Sequence, residues 1–254
     1  MNTSYQLYSS REATPWEDVV AHLAANGYTQ VEGFGGVYAD APAFRALLDQ
    51  HGLKMPSGHF FPLGSFEGDF DKSIAAAKAL GMEVAYVPAP EDLWRNGTDA
   101  ANWIALAKRL EEACKKVNDA GFRFGWHNHH WEFMPLPGGE IAMELILEHA
   151  PSIEWEADVA WIVRGGGDPM AYFEKYKDRI TAAHVKDIAP EGENADEDGW
   201  ADVGHGTLPW KDYMAALRGN GVNLFVMEHD KPSDARRFAE RAIASFKTYG
   251  GHKP

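Results

Sequence analysis

Apolar and polar positions along this chain switch repeatedly between two periods. Short apolar runs, YQLYSS, TQVEGFG, KMPSGHFF and MEVAYVP, each precede a segment whose apolar residues recur at helical spacing. Those segments are TPWEDVVAHLAANG, APAFRALLDQHG, DKSIAAAKALG and TDAANWIALAKRLEEACKKVNDAG. Gly27, Gly52 and Gly81 fall where a glycine closes each of the first three helices. Thr98 or Asp99 is placed to cap the start of the fourth. The second half repeats the scheme. FRFGWHNHHWEF leads to GEIAMELILEHA, IEWEADVAWIV to DPMAYFEKYKDR, ITAAHVKDI to LPWKDYMAALRGNG, and NLFVMEHD to SDARRFAERAIASFKTYG. Eight strand–helix units in 254 residues predict parallel strands with helical crossovers, closed into a (β/α)8 TIM barrel, with residues 1–254 forming one domain. A doubly wound open sheet would want a glycine-rich phosphate turn after its first strand, and YSSREATPW offers none.

In a parallel barrel the side chains at the C-terminal ends of the strands share one mouth. Four successive strand segments of the second half end in an ionisable residue: Glu132, Asp158, His184 and Glu228. Carboxylate oxygens plus one imidazole suit a divalent ion, Mn²⁺ first, with Mg²⁺, Co²⁺ or Zn²⁺ also compatible. Three carboxylates brought together without a cation would repel one another at considerable cost. Such an ion, chelated by a carbonyl and its neighbouring hydroxyl, stabilises an enediolate, so a flanking carboxylate can remove the adjacent proton. Glu132 and Glu228, on opposite sides of the mouth, could take and return it.

Other residues invite functional and structural readings together. His59 ends the third strand and could touch a substrate hydroxyl or serve as a structural histidine. Lys186 shares a strand face with His184 and could contact a substrate oxygen or phosphate, or pair with Asp187 or Glu156. Glu32 could bind a hydroxyl or orient a neighbour, and buried Glu156 needs a partner, for which Lys186 is the expected one. Trp126, Trp131, Trp161 and Phe34 could wall a sugar ring, whereas Trp155 reads as filler. His205 lies in a glycine-flanked turn, and Gly165–Gly167 reads as a flexible connection that resembles a phosphate turn only loosely. The acidic segment IAPEGENADEDGWADVGHG is long enough to be mobile or a lid.

Charge narrows the partners. With 38 acidic against 24 basic residues the formal charge is −14, which opposes binding to nucleic acid or an anionic membrane. The single cysteine, Cys114, excludes an internal disulfide, and no apolar run is long enough to span a bilayer. No leader sequence is evident, so the expected setting is the cytoplasm.

The segments HNHHWEF, ADVAWIVRGGGDP, DRITAAHVKD, DVGHGTLPW and FVMEHD, in that order, resemble the xylose-isomerase-like barrels. That group includes the sugar phosphate isomerase/epimerases, D-tagatose 3-epimerase, inosose dehydratase and the apurinic endonucleases. The resemblance implies one divalent metal held by residues at the ends of the fifth to eighth strands, with two glutamates moving the proton. Asp158, His184 and Glu228 match its pattern. The fifth strand departs from it, because the usual ligand position falls near Gly125 and Trp126. Glu132 is the expected replacement, with His127 or His129 as rivals. The implied activity is sugar isomerisation or epimerisation on an unphosphorylated sugar, keto-sugar or cyclitol. The alternatives are a lyase on the same site (inosose-type dehydration or cleavage of a 3-keto-glycoside) and a non-catalytic binding barrel. A homo-oligomer is compatible with the family. The apurinic endonuclease branch needs a histidine where Trp161 stands, and the acidity of the chain argues against it.

Overall fold

The computed structural model describes residues 2–91 and 99–251. Strands β1 (Asn2–Gln6), β2 (Gln30–Gly33), β3 (Lys54–His59), β4 (Val84–Val87), β5 (Arg123–His127), β6 (Glu154–Asp158), β7 (Ile180–Val185) and β10 (Leu224–Met227) close into an eight-stranded barrel. Every pairing around the ring is parallel, β1 against β10 included, so the predicted barrel is the fold. The two intervening short strands, β8 (Asp187–Ile188) and β9 (Trp200–Ala201), pair with each other outside the barrel. Helices α1 (Trp16–Ala25), α2 (Ala41–Gln50), α3 (Phe70–Leu80) and α4 (Ala100–Asp119) follow the first four strands. Gly81 has the left-handed conformation expected of a helix stop. Asp99 caps α4 by accepting the Asn102 N–H at 3.1 Å, and the rival cap Thr98 lies outside the described residues.

Alternation along each strand separates two environments. Outward-facing residues such as Val31, Met55, Phe124, Trp126, Trp155 and Phe225 are buried against the helices in one continuous core. Inside the barrel, Val84, Tyr86, Ala182, Leu224 and Val226 form a small separate apolar cluster. Above it the interior turns polar: Gln6, Glu32, Ser57, His59, His127, Glu156, Asp158, His184, Lys186 and Glu228 are all buried. A barrel interior is ordinarily filled with branched aliphatics. Here the middle and upper layers are given to ionisable groups instead.

One glycine makes room for this arrangement. A Cβ on Gly125 would come within 2.6 Å of the Glu154 carbonyl and 2.7 Å of the Tyr86 ring. The fifth strand therefore gives up an inward side chain at Gly125 and next presents His127.

The acidic segment after β7 is fastened rather than free. The Asp187 carboxylate accepts the backbone N–H groups of Ile188, Gly204, Gly206 and Leu208 at 2.9–3.2 Å. Glu197 and Asp202 are tied to Arg237 on α9 (Ala235–Phe246) at 2.7 and 2.9 Å, and Asp198 to Lys231 at 2.9 Å. Neither a mobile loop nor an open lid describes it. His205 is exposed on this loop. Replacing Asp187 by Ala leaves these N–H groups without their acceptor, at an expected cost of ~1–3 kcal/mol. Limited proteolysis should then cleave between residues 189 and 208 faster than in the wild type; an unchanged digestion rate would contradict this assignment.

Candidate metal centre

Four of the strand ends converge. Ligand atoms of His127, Asp158, His184 and Glu228 lie within 4.8 Å of one another, all buried. His184 Nδ1 is 2.8 Å from Glu228 Oε2 and 3.9 Å from Asp158 Oδ2. Among the described residues a second group shares two of these members: His59, His127, Glu156 and His184.

Glu132 is in neither group. Its fully buried carboxylate accepts the indole N–H of Trp126 at 3.2 Å and the backbone N–H of His129 at 3.0 Å. It braces the bend after β5 instead of entering the mouth, and the expectation that it ligates is corrected accordingly. His127, the rival, is the fifth-strand residue that joins this group, because it shares the inward face of Gly125. Trp126, by the same alternation, points outward and is completely buried, so it walls no cavity.

Lys186 defines the electrostatics. Its ammonium is fully buried, 2.9 Å from Asp158 Oδ2, 2.9 Å from Glu228 Oε2 and 2.8 Å from Asp230 Oδ2. The sequence-level partners, Asp187 and Glu156, are not its neighbours here. Burial would lower the Lys186 pKa, but the three carboxylates override that and raise it. Burial would likewise raise Glu228, yet Lys186 and His184 hold it well below the usual range. Asp158 is raised by burial despite Lys186, and Asp230 is raised by burial to about 6. His127 is pushed well below its ordinary value by burial and by the neighbouring histidines, so it is a neutral donor.

Burial would lower His184, yet Glu156, Glu228 and Glu32 raise it well above its ordinary value, so the carboxylates gathered at the mouth draw on both Lys186 and His184 for positive charge, a place that a divalent cation could take. Asp158 Oδ2, although close to Lys186, receives no directed hydrogen bond and is buried. Hard oxygens with two imidazoles form a donor set that Mn²⁺, Co²⁺ or Zn²⁺ accepts. The residues present fit such an ion.

Beneath this group lies a second tier that joins opposite sides of the barrel. His184 Nε2 is 2.7 Å from Glu32 Oε1, and His59 Nε2 is 2.6 Å from Glu156 Oε2. Glu32 is completely buried, stands off the cavity lining, and meets Gln6, Ser57 and His184. Glu156 is served by histidines, not by the expected lysine. Strand pairing slips in register between Gln30 and Glu32 and again between Trp155 and Glu156. Such irregularities re-aim side chains near functional sites.

A cavity of about 480 Å³ opens above, lined among others by Tyr8, Phe34, His59, Phe61, His127, His129, Trp131, Glu228 and Asp230. Trp131 and Phe34 thus form part of the wall, as anticipated. Trp161 stacks on His130 and stands off this lining, while Trp155 is core filler. His129 stacks on Trp131 at 4.6 Å. Gly165 is where the chain presses against the site's backing: a Cβ there would meet the His130 carbonyl and Phe133 at 2.7 Å. Gly167 is likewise crowded, by Ile162 at 2.8 Å, whereas Gly166 faces open space and takes φ +85°. Sequence reasoning missed Asp230, Gln6 and Ser57. Parity offered a signal for Asp230, two residues beyond Glu228.

A closed parallel barrel with a histidine–carboxylate cluster at its mouth defines a class of metal-centred α/β barrels. The chain belongs to the xylose isomerase-like TIM barrel family, whose model matches residues 20–249. It is similar to an inosose dehydratase of Lacticaseibacillus casei, 23% identical over 232 residues, covering 85% of this chain and 73% of the relative. Among solved structures it resembles a sugar phosphate isomerase/epimerase from Parabacteroides distasonis ATCC 8503, with TM-score 0.78, 20% identity and 99% of each chain covered. It also resembles the IolI protein, solved with a zinc atom, with TM-score 0.76, 14% identity and 98% of each chain covered. Among the described residues no helix is long and apolar enough to cross a membrane.

Proposed function

We propose that this protein is a divalent-metal-dependent sugar isomerase or epimerase. In this reading it moves the proton next to the carbonyl of an unphosphorylated sugar, keto-sugar or cyclitol. The observation that carries the reading is the convergence of His127, Asp158, His184 and Glu228 at the base of a cavity that Glu228 itself lines. A divalent ion held by these four residues would supply a Lewis acid to the substrate's carbonyl oxygen and adjacent hydroxyl. Glu228, kept ionised by Lys186 and His184, is the base that takes the proton. Trp131, Phe34 and Tyr8 offer ring faces to the apolar side of a sugar, while His59 and His129 offer polar contacts. Lys186 holds Asp158, Glu228 and Asp230 in place from below and is a substrate contact only through them.

Because Glu132 is turned away, a matched carboxylate on the far face of the substrate is missing among the described lining residues. A single base that returns the proton on the same face to the neighbouring carbon suits isomerisation. Epimerisation would need His129 as the second proton carrier. Loss of water from the same intermediate is the second reading, favoured by the dehydratase name of the Lacticaseibacillus relative.

The test is incubation with Mn²⁺ and a panel of ketoses, keto-glycosides and inososes in heavy water. Deuterium entering a product of unchanged mass formula supports isomerisation or epimerisation, and loss of water or of an aglycone moves the assignment to a lyase. Absence of exchange with every member, in protein shown to bind the ion, would overturn the reading.

A further inference from the structure

Glu32 sits beneath the metal centre with both oxygens engaged. Its Oε1 accepts from Gln6 Nε2 at 2.8 Å and faces His184 Nε2 at 2.7 Å, while Oε2 accepts the Ser57 hydroxyl at 2.5 Å. A carboxylate that already accepts from an amide and a hydroxyl presents an acceptor to His184 Nε2, so that ring nitrogen is the one that carries the proton. His184 has one other nitrogen, Nδ1, which faces Glu228 and Asp158, and any proton there is released when a cation takes that position.

We infer that Glu32 is a positioning residue that fixes the His184 proton on Nε2, so that Nδ1 alone is offered to the ion. The inference rests on the proposed metal centre and adds a residue from the opposite side of the barrel to it. The register slip between β2 and β3 sets Ser57, one of its donors, opposite Glu32.

The lower group, His59, His127, Glu156 and His184, has the composition of a second metal site, and its proton placement argues against that use. Gln6 Oε1 accepts the Tyr8 N–H at 3.0 Å, which sets the amide and turns Nε2 toward Glu32 and toward His59 Nδ1 at 3.4 Å. A ring whose Nδ1 faces a donor keeps its proton on Nε2. His59 Nε2–H therefore donates to Glu156 Oε2, and a protonated nitrogen cannot ligate. His184 Nε2 is excluded for the same reason by Glu32. The lower tier is a hydrogen-bonded support for a single ion.

Two measurements test this. In Zn²⁺-loaded protein with ¹⁵N-labelled histidine, His184 should show a one-bond N–H coupling at Nε2 and a metal-shifted, unprotonated Nδ1. Removing such a supporting group usually weakens metal affinity about 10–100-fold. Glu32→Met should show that loss by titration with Zn²⁺, and Glu32→Gln, which keeps an oxygen acceptor without the charge, should fall between it and the wild type. The metal-free melting temperature is recorded for each, and the spectrum of the wild type decides if Glu32→Met does not fold. A proton on His184 Nδ1, wild-type affinity in Glu32→Met, or two bound ions of which one is lost in His59→Ala would each overturn the inference. Asp158→Asn and Glu228→Gln separate the levels. If both bind Zn²⁺ like the wild type, the metal centre itself is misplaced; if both lose it while Glu32→Met does not, only the role of Glu32 fails.

Discussion

Glu228→Gln should abolish deuterium exchange into substrate even when the protein is saturated with metal. The variant keeps size and one oxygen acceptor but removes the carboxylate that both lines the cavity and belongs to the ligand cluster. General-base catalysis is worth about 10²–10⁴-fold, so exchange should fall at least that far. Affinity for the ion should also weaken, because Glu228 Oε2 is one of the donors beside His184. Titration with Mn²⁺ before the assay separates the two losses. A variant that exchanges at the wild-type rate once loaded would remove Glu228 from proton transfer.

Lys186→Met carries the second large effect, this time on stability. Removing one partner of a buried charge network typically costs about 3–5 kcal/mol, and Lys186 has three carboxylates within 2.9 Å. In chelated protein the melting temperature should drop by on the order of 10 °C. Adding a divalent ion should recover part of that loss, since the ion supplies the missing positive charge. The defect should depend on pH in a definite direction. Asp230 is raised from 3.8 to about 6, so the folded protein holds a proton there that the unfolded chain has released. A carboxylate shifted that way costs stability as pH climbs between those values. Lys186 opposes that rise, so without it the Asp230 pKa climbs further, and the Lys186→Met defect should be smaller near pH 4 and keep growing as pH rises past 6. A melting temperature unchanged from the wild type in chelator would refute the assigned electrostatic role.

The barrel was legible in the sequence because each strand–helix unit announces itself locally, by period and by the glycine or capping residue at its ends. Asp158, His184 and Glu228 were legible for a related reason: an apolar strand ending in one ionisable group places that group at the mouth by chain geometry alone. The fifth strand was harder. Its helix comes only after a bend, and a bend defeats parity counting, so Glu132 looked like the continuation of the series. The structure shows why the inward sequence there is Gly125 then His127: Tyr86 occupies the space a larger residue would need. The lower tier was not legible as a network. Glu32, His59 and Glu156 are far apart in sequence, and the strands that bring them together pair with register slips that no local pattern records. The lysine was expected to pair with Asp187, but adjacent residues on a strand face opposite ways. Asp187 instead gathers the loop.

The ties from Glu197 and Asp202 to Arg237, and from Asp202 to Arg241, give the last helix a duty remote from its own position. It contributes no side chain to the cavity lining, yet it moors the acidic segment that follows β7. Shortening the chain before residue 237 would therefore unmoor that segment and strip Phe238, Ile243 and Phe246 from the core, while leaving every candidate ligand in the sequence. A fragment ending there would carry the chemistry on paper and lack the architecture to use it.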